Sequence, residues 1–215
     1  MTFVEYLLPH FIFQQLDGTL KLKKKLSKWL GLQTGNGIFK VVDYDSTLEL
    51  HDAQGSSATF HRRMKVRYLQ DHVIAFQDYA WGDGEVLADY KISPGKVVDI
   101  YREGDRWNIL VSLRETKKRN DIQEFHIERT VKNGFTQATE WRQTEIWLNF
   151  KRIRMAVVFP LDRPCKRAIL IERGKNKTTT LGSDHFEILP DGRQILTWES
   201  KNPRRAEVYT LRWEW

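Results

Sequence analysis

The sequence predicts a mainly β protein, an antiparallel, meander-rich barrel or sandwich preceded by a short N-terminal helical segment. Apolar residues repeat at helical spacing up to about residue 36 and alternate with polar residues beyond it, which is the change expected where helix gives way to strand. No βαβ pattern and no fixed repeat interrupts the second part. We therefore expect residues 36–215 to form a single antiparallel β domain. Turns that contain glycine punctuate its first half, at Gly55, Gly82, Gly84, Gly95 and Gly104.

Residues 1–35 are predicted to form a helical, basic amphipathic segment. Leu22, Leu26 and Leu30 fall on one face of a helix, and lysines occupy most of the other face. This pattern is typical of a helix that lies on a membrane surface or in the groove of a protein partner. It is equally typical of a helix packed on a sheet. A protein or membrane-surface contact is therefore expected through residues 20–30 if the segment is not packed.

The first half of the β domain is predicted to be a meander of short strands. The dipeptide Asp83-Gly84 favours a hairpin turn, and a break is expected at Asp45-Ser46 within the first segment. The expected strands are two segments within 38–50, a long strand over 57–69, a hairpin of 73–80 with 85–91, a hairpin of 96–103 with 106–115, and a strand over 122–131.

The second half is predicted to continue as strands with less regular turns. A shift of the apolar phase near Lys151 and Arg152 indicates a bulge or bend in a long segment over 140–159. Shorter strands are expected over 169–172, 178–181, 186–189, 195–198 and 208–215. Two strictly alternating, aromatic-rich faces supply the expected core, namely Trp107, Ile109, Val111, Tyr209, Leu211 and Trp213.

A basic strand face is the first candidate binding surface. Side chains alternate across a strand, so His61, Arg63, Lys65 and Arg67 share one face of the strand over 57–69. Such a row matches the spacing of several phosphates and favours nucleic acid or another anionic partner. Arg62 falls in the apolar register instead, where either a bulge or a charge at the edge of the core is expected.

Other candidate positions lie in turns and at shifts of register. Trp81, in the turn Trp81-Gly82-Asp83-Gly84 with its two glycines, is a candidate contact point or a cover for the end of a barrel. Lys117, Lys118 and Arg119 form a basic loop tip suited to phosphate contact. If they point inward, Arg62, Arg152 and Arg154 are the candidate residues of a pocket for an anionic ligand.

Composition and motifs exclude several classes of protein. The net charge is +7, and Cys165 is the single cysteine, so no intramolecular disulfide forms. The amino terminus lacks the features of a signal peptide, no apolar stretch is long enough for a membrane span, and a cytoplasmic location is expected. Phosphate-binding, dinucleotide, zinc-hydrolase and serine-hydrolase motifs are absent. No metal site and no cofactor is expected, and the absence of these motifs favours a protein that is not an enzyme.

Two functions remain open from the sequence. The first is a non-catalytic recognition or regulatory domain that contacts an anionic or protein partner through the basic strand face. The second is a calycin-like barrel that binds, or acts on, a small anionic or apolar ligand in an interior pocket lined by aromatic residues. The direction in which the arginines point distinguishes the two.

Overall fold

The computed structural model describes residues 37–146 and 148–215. The helical segment expected over residues 1–35, and with it the contact expected through residues 20–30, lies outside the described residues. The described part of the chain forms fourteen strands: β1 (Phe39–Leu50), β2 (Ser57–Tyr68), β3 (Val73–Ala80), β4 (Glu85–Ser93), β5 (Lys96–Glu103), β6 (Arg106–Lys117), β7 (Ile122–Lys132), β8 (Thr139–Glu145), β9 (Arg152–Val158), β10 (Arg167–Glu172), β11 (Lys177–Leu181), β12 (Phe186–Ile188), β13 (Gln194–Lys201) and β14 (Val208–Glu214).

These strands form three open sheets. The large sheet has seven strands in the order β12-β13-β9-β1-β2-β7-β4, a second sheet has the order β11-β10-β14-β8, and a third has the order β3-β6-β5. Every pair of named strands is antiparallel except β1 with β9, which is parallel. The mainly β prediction is confirmed, but no closed barrel forms among the described residues because each sheet ends in strands with one partner.

The two smaller sheets cover the same face of the large sheet, side by side. Phe76 of β3 stacks on Phe125 of β7 with ring centroids 4.6 Å apart, so the three-stranded sheet lies over β7. Tyr209 of β14 contacts Trp198 of β13 at 4.7 Å, so the four-stranded sheet lies over the other half. The antiparallel register places Phe125 and Trp198 on one face of the large sheet. The result is two layers, with a gap between the two smaller sheets.

The core prediction is confirmed for five of its six residues. Ile109, Val111, Tyr209, Leu211 and Trp213 are buried in one hydrophobic cluster that all three sheets share. Trp107 is only partly buried and packs against that cluster. Treating residues 36–215 as a single domain stays a prediction, since the shared cluster is compatible with it but the first residue of that range lies outside the described part.

The predicted meander is wrong because two consecutive strands join different sheets. β3 pairs with β6, and β4 pairs with β7, so the expected hairpin between β3 and β4 does not form. The intervening loop packs on the β7 turn instead, since a Cβ added at Gly84 would lie 2.2 Å from the carbonyl oxygen of Lys132. The hairpin of β5 with β6 is confirmed.

Two predicted segment boundaries also differ. The segment over 140–159 divides into β8 and β9, which belong to different sheets, so the shift of apolar phase near Arg152 marks a change of sheet and not a bend in one strand. In contrast, β1 runs through Asp45-Ser46 without a break. Its irregularity is a bulge between Val41 and Asp43.

Candidate anion-binding site between the sheets

A cavity of about 150 Å³ occupies the gap between the two smaller sheets. Its floor is the inner face of the large sheet, with Phe60 and Arg62 of β2 and Arg129 of β7. Its walls are β3 and β8, each of which pairs with one strand and so has a free edge toward the gap. Consecutive residues of β8, from Glu140 to Glu145, line it. Because alternate side chains of a strand point to opposite faces, a consecutive lining indicates that the strand lies edge-on to the cavity.

Three arginines with buried guanidinium groups belong to this floor and wall, whose other charged residues are Arg106, Asp78, Asp83, Glu140 and Glu145. Arg62 and Arg129 project from adjacent strands of the large sheet, and Arg142 projects from β8 toward the same face. Both Arg129 and Arg142 lie over the Phe60 ring, at 4.6 Å and 5.2 Å from its centroid. Asp78 of β3 is the carboxylate placed against this group. Asp78 is thus the carboxylate that acts on Arg62 and on Arg129, whereas the carboxylate that acts on Arg142 is Asp45.

Arg62 is the arginine that Asp78 neutralises. Its Nη2 lies 2.6 Å from Asp78 Oδ1, with both side chains almost fully buried. The Tyr90 hydroxyl donates to the other carboxylate oxygen of Asp78 at 2.8 Å. Burial opposes the charged form of Arg62, but Asp78, Tyr44 and Tyr90 together outweigh it and raise the pKa of Arg62 above its usual value. This pair is a fixed structural element in the wall of the cavity.

Arg142 is held by neutral oxygens. Its Nη1 donates to the carbonyl oxygen of Ala156 at 2.7 Å, and its Nη2 donates to Ser46 Oγ at 2.7 Å. Burial lowers the pKa of Arg142 to about 10, so the side chain is still protonated at neutral pH. These bonds orient the guanidinium without cancelling its charge.

Arg129 is the arginine without a polar partner. Among the described residues its guanidinium makes no ion pair, and its buried Nε makes no hydrogen bond, although the residue as a whole is partly exposed. Burial lowers the pKa of Arg129 to about 10, an effect that the charge of Asp78 opposes and that the charge of Arg62 reinforces. A protonated guanidinium with unused donors on an aromatic floor is an arrangement suited to receive an anion.

The predicted basic strand face lies on the opposite, outer face of the large sheet, where acidic neighbours surround much of it. Arg63 contacts both Asp43 and Glu124, and Lys65 lies opposite the same two residues in the strand register. His61 lies within 4 Å of Glu49 and of Glu128. Arg67 is the exception, since its neighbours in the register are Lys40 and Ile122. Recognition of nucleic acid through this face stays a prediction.

Of the three predicted pocket arginines, the structure brings only Arg62 to the cavity. Arg62 continues the register of β2 without a bulge, which leaves its charge inside the core as the second of the two expected alternatives. Arg152 and Arg154 point to the outer face. Arg152 pairs with Asp43 and with Glu199 at 2.8 Å each, and Arg154 pairs with Asp45 at 3.0 Å.

The remaining candidates separate in space. Trp81 lines the cavity, with the Arg106 guanidinium 5.3 Å from its ring. The expected basic loop tip is smaller than predicted because Lys117 belongs to β6, where it is buried and bonded to Glu115. Lys118 and Arg119 stay exposed beyond the strand end.

Three further observations bear on predictions made from the sequence. Burial raises the pKa of the Cys165 thiol to about 11, so the thiolate needed for nucleophilic chemistry is scarce at neutral pH. No group of three or more potential metal ligands occurs within residues 37–146 and 148–215. Over the same ranges, no helix is long and apolar enough to cross a membrane. The cytoplasmic location stays a prediction.

Sequence reasoning missed Arg129 and Arg142. Arg129 could have been identified from the sequence, since it falls in the apolar register of Phe125, Ile127 and Val131. A charged residue in an apolar register is the same observation that identified Arg62. Arg142 had none, because its neighbours on that face of β8 are polar, and its burial depends on contact with a distant sheet.

The comparisons with known proteins bear on the fold alone. No family model matches the chain, and no curated protein matches it. A putative protease from Parabacteroides distasonis ATCC 8503 is similar in structure, with a TM-score of 0.50 and 10% identity over 84% of this chain and 41% of that one. An M1 zinc metallopeptidase from Deinococcus radiodurans has a TM-score of 0.49 and 10% sequence identity, over 82% of this chain and 42% of that one. The chain thus spans less than half the length of either protein, and at this identity their activities are not carried over.

Proposed function

We propose that this protein is a binding module, not an enzyme, and that the cavity between its two smaller sheets takes a small anionic ligand. The observation that carries the proposal is Arg129, a protonated guanidinium on the cavity floor that pairs with no carboxylate among the described residues. An unpaired charge in a partly desolvated place costs stability. A residue that costs stability in the free protein and gains a partner on binding is typical of a functional site.

The charge distribution supports the cavity over the outer face as the place for an anion. On the outer face, Arg63 and Arg152 already contact carboxylates on both sides. An anion binding there has to compete with groups that are already in place. In the cavity, Asp78 is occupied by Arg62 and Tyr90, which leaves the charges of Arg129 and Arg142 available to a ligand.

Replacing Arg129 with methionine tests this proposal. We expect the free energy of unfolding of the Arg129→Met variant to be about 1 kcal/mol higher than that of the wild type. The reason is that the substitution removes an uncompensated charge and keeps most of the side-chain volume. We also expect it to lose the stabilisation that acetate, benzoate or phosphate gives the wild type. Chemical denaturation at constant ionic strength, with and without each anion, measures both effects.

Arg152→Met is the matched control, since Arg152 is an arginine of the same large sheet that is paired on the outer face. It should keep the full response to the anions. A general salt effect would stabilise both variants alike, and that result would contradict the proposal. A loss of more than about 1 kcal/mol in Arg129→Met would also contradict it, because Arg129 would then have a structural partner.

A further inference from the structure

We infer that the ligand is a flat aromatic monocarboxylate, with its carboxylate on the Arg129 guanidinium and its ring beside Phe60. This inference rests on the proposed function and specifies the chemistry of the ligand. Three observations carry it: the unused donors of Arg129, the aromatic side chains around them, and the size of the cavity.

The donors identify the anionic end. A guanidinium carries five N–H donors in a planar fork that matches the two oxygens of a carboxylate. Arg62 is ion-paired with Asp78 through its Nη2, although its Nε and Nη2 make no hydrogen bond in the described part of the chain. Arg142 uses both terminal nitrogens on Ser46 and Ala156. Arg129 is the arginine of this group whose fork has no partner among the described residues. One bidentate carboxylate satisfies it.

The number of free donors favours a carboxylate over a phosphate. A phosphate monoester presents three strong acceptor oxygens and close to two charges at neutral pH. Of the three buried arginines, Arg129 is the one with neither an ion pair nor a hydrogen bond in the described part of the chain, so part of a phosphate bound to it would be left without donors in a partly desolvated place, which is costly. A carboxylate has two oxygens and one charge, so no oxygen is left without a donor.

The walls identify the other end of the ligand. Phe60 lies under both guanidinium groups, and Tyr44 and Phe150 lie 5.6 Å apart, centroid to centroid, in the same lining. Flat rings stack well on aromatic and guanidinium planes. A cavity of about 150 Å³, the size found here, is large enough to hold one benzene ring. A carboxylate attached to one ring therefore matches both the volume and the lining.

Isothermal titration with three probes tests the inference: benzoate, acetate as the carboxylate without a ring, and benzyl alcohol as the ring without a charge. For the wild type we expect benzoate to bind about tenfold or more tightly than acetate, because its ring is buried, and benzyl alcohol to bind at least about tenfold more weakly than benzoate. Phe60→Leu should weaken benzoate about threefold and leave acetate unchanged. Arg129→Met should remove the difference between benzoate and benzyl alcohol, while Arg152→Met should change neither.

The outcomes separate this inference from the proposed function. Arg129-dependent binding of acetate with no preference for benzoate overturns the aromatic ligand and leaves the anion site standing. Equal binding of benzoate and benzyl alcohol to the wild type overturns both. If benzoate and acetate show no Arg129-dependent binding in this titration, and phosphate gives no Arg129-dependent stabilisation in the denaturation experiment above, both are also overturned. Circular dichroism of each variant confirms that a lost signal comes from the site and not from unfolding.

Discussion

Truncating Trp213 to alanine is expected to cost about 3–5 kcal/mol of the free energy of unfolding, the range for a large aromatic side chain removed from a packed core. Trp213 is 1% exposed and lies at the centre of an aromatic group, with Phe135 and Phe159 at ring centroid distances of 6.2 Å and 6.0 Å. The cavity left behind would lie between β14 and the large sheet that it packs against. Urea denaturation of the wild type and the variant measures the cost.

Trp141→Ala provides the control for that experiment, because Trp141 lies on the neighbouring strand β8 and is 45% exposed. A change within about 0.5 kcal/mol is expected for it, as for exposed positions in general. Equal costs for the two tryptophans would show that β14 is not part of the core.

Replacing Asp78 with asparagine is expected to cost about 3–5 kcal/mol, because it leaves the Arg62 charge buried without a counter-charge. Asp78 is 5% exposed and serves both Arg62 and the Tyr90 hydroxyl. It is thus the group that permits one of the three arginines to lie inside the fold. Thermal and urea unfolding of the variant both report the loss.

A double variant separates the pair from the packing around it. Arg62→Met with Asp78→Leu removes both charges and keeps an apolar volume, so most of the lost stability should return. The two single variants and the double variant form a cycle whose interaction free energy should be large, since the side chains are in direct contact. Simple additivity of the single changes would mean that the 2.6 Å pair contributes nothing specific.

The strands were predictable because their signal is local. The alternation in β2 and the tight turn between β5 and β6 each depend on residues a few positions apart, and both agree with the structure. The sheet order was not predictable in this way. β1 pairs with β9, more than 100 residues later, and β3 leaves its sequence neighbour β4 to pair with β6. Such pairings depend on tertiary packing that turn chemistry does not encode.

The candidate site could likewise be predicted where its signal is local and not where it depends on the sheet order. Arg62 was identified because a charged residue in an apolar register conflicts with its own strand, and that conflict can be read along the chain. The carboxylate partner of Arg62 comes from β3, whose placement over the large sheet is a property of the sheet order. The acidic neighbours that neutralise Arg63 also come from other strands. For this reason the sequence favoured the outer face, whereas the arrangement of charges favours the inner cavity.

Anomalous diffraction from crystals soaked in sodium iodide tests most directly the central claim that the cavity holds a cationic group, Arg129, that pairs with no carboxylate of the described residues. Iodide is a monoanion that collects where positive charge is uncompensated, and its position is seen without any assumption about the natural ligand. We expect an anomalous peak inside the cavity, beside the Arg129 guanidinium and absent from crystals of Arg129→Met. Iodide confined to the outer face, near Arg67 or Arg119, with the cavity empty in the wild type would contradict the claim.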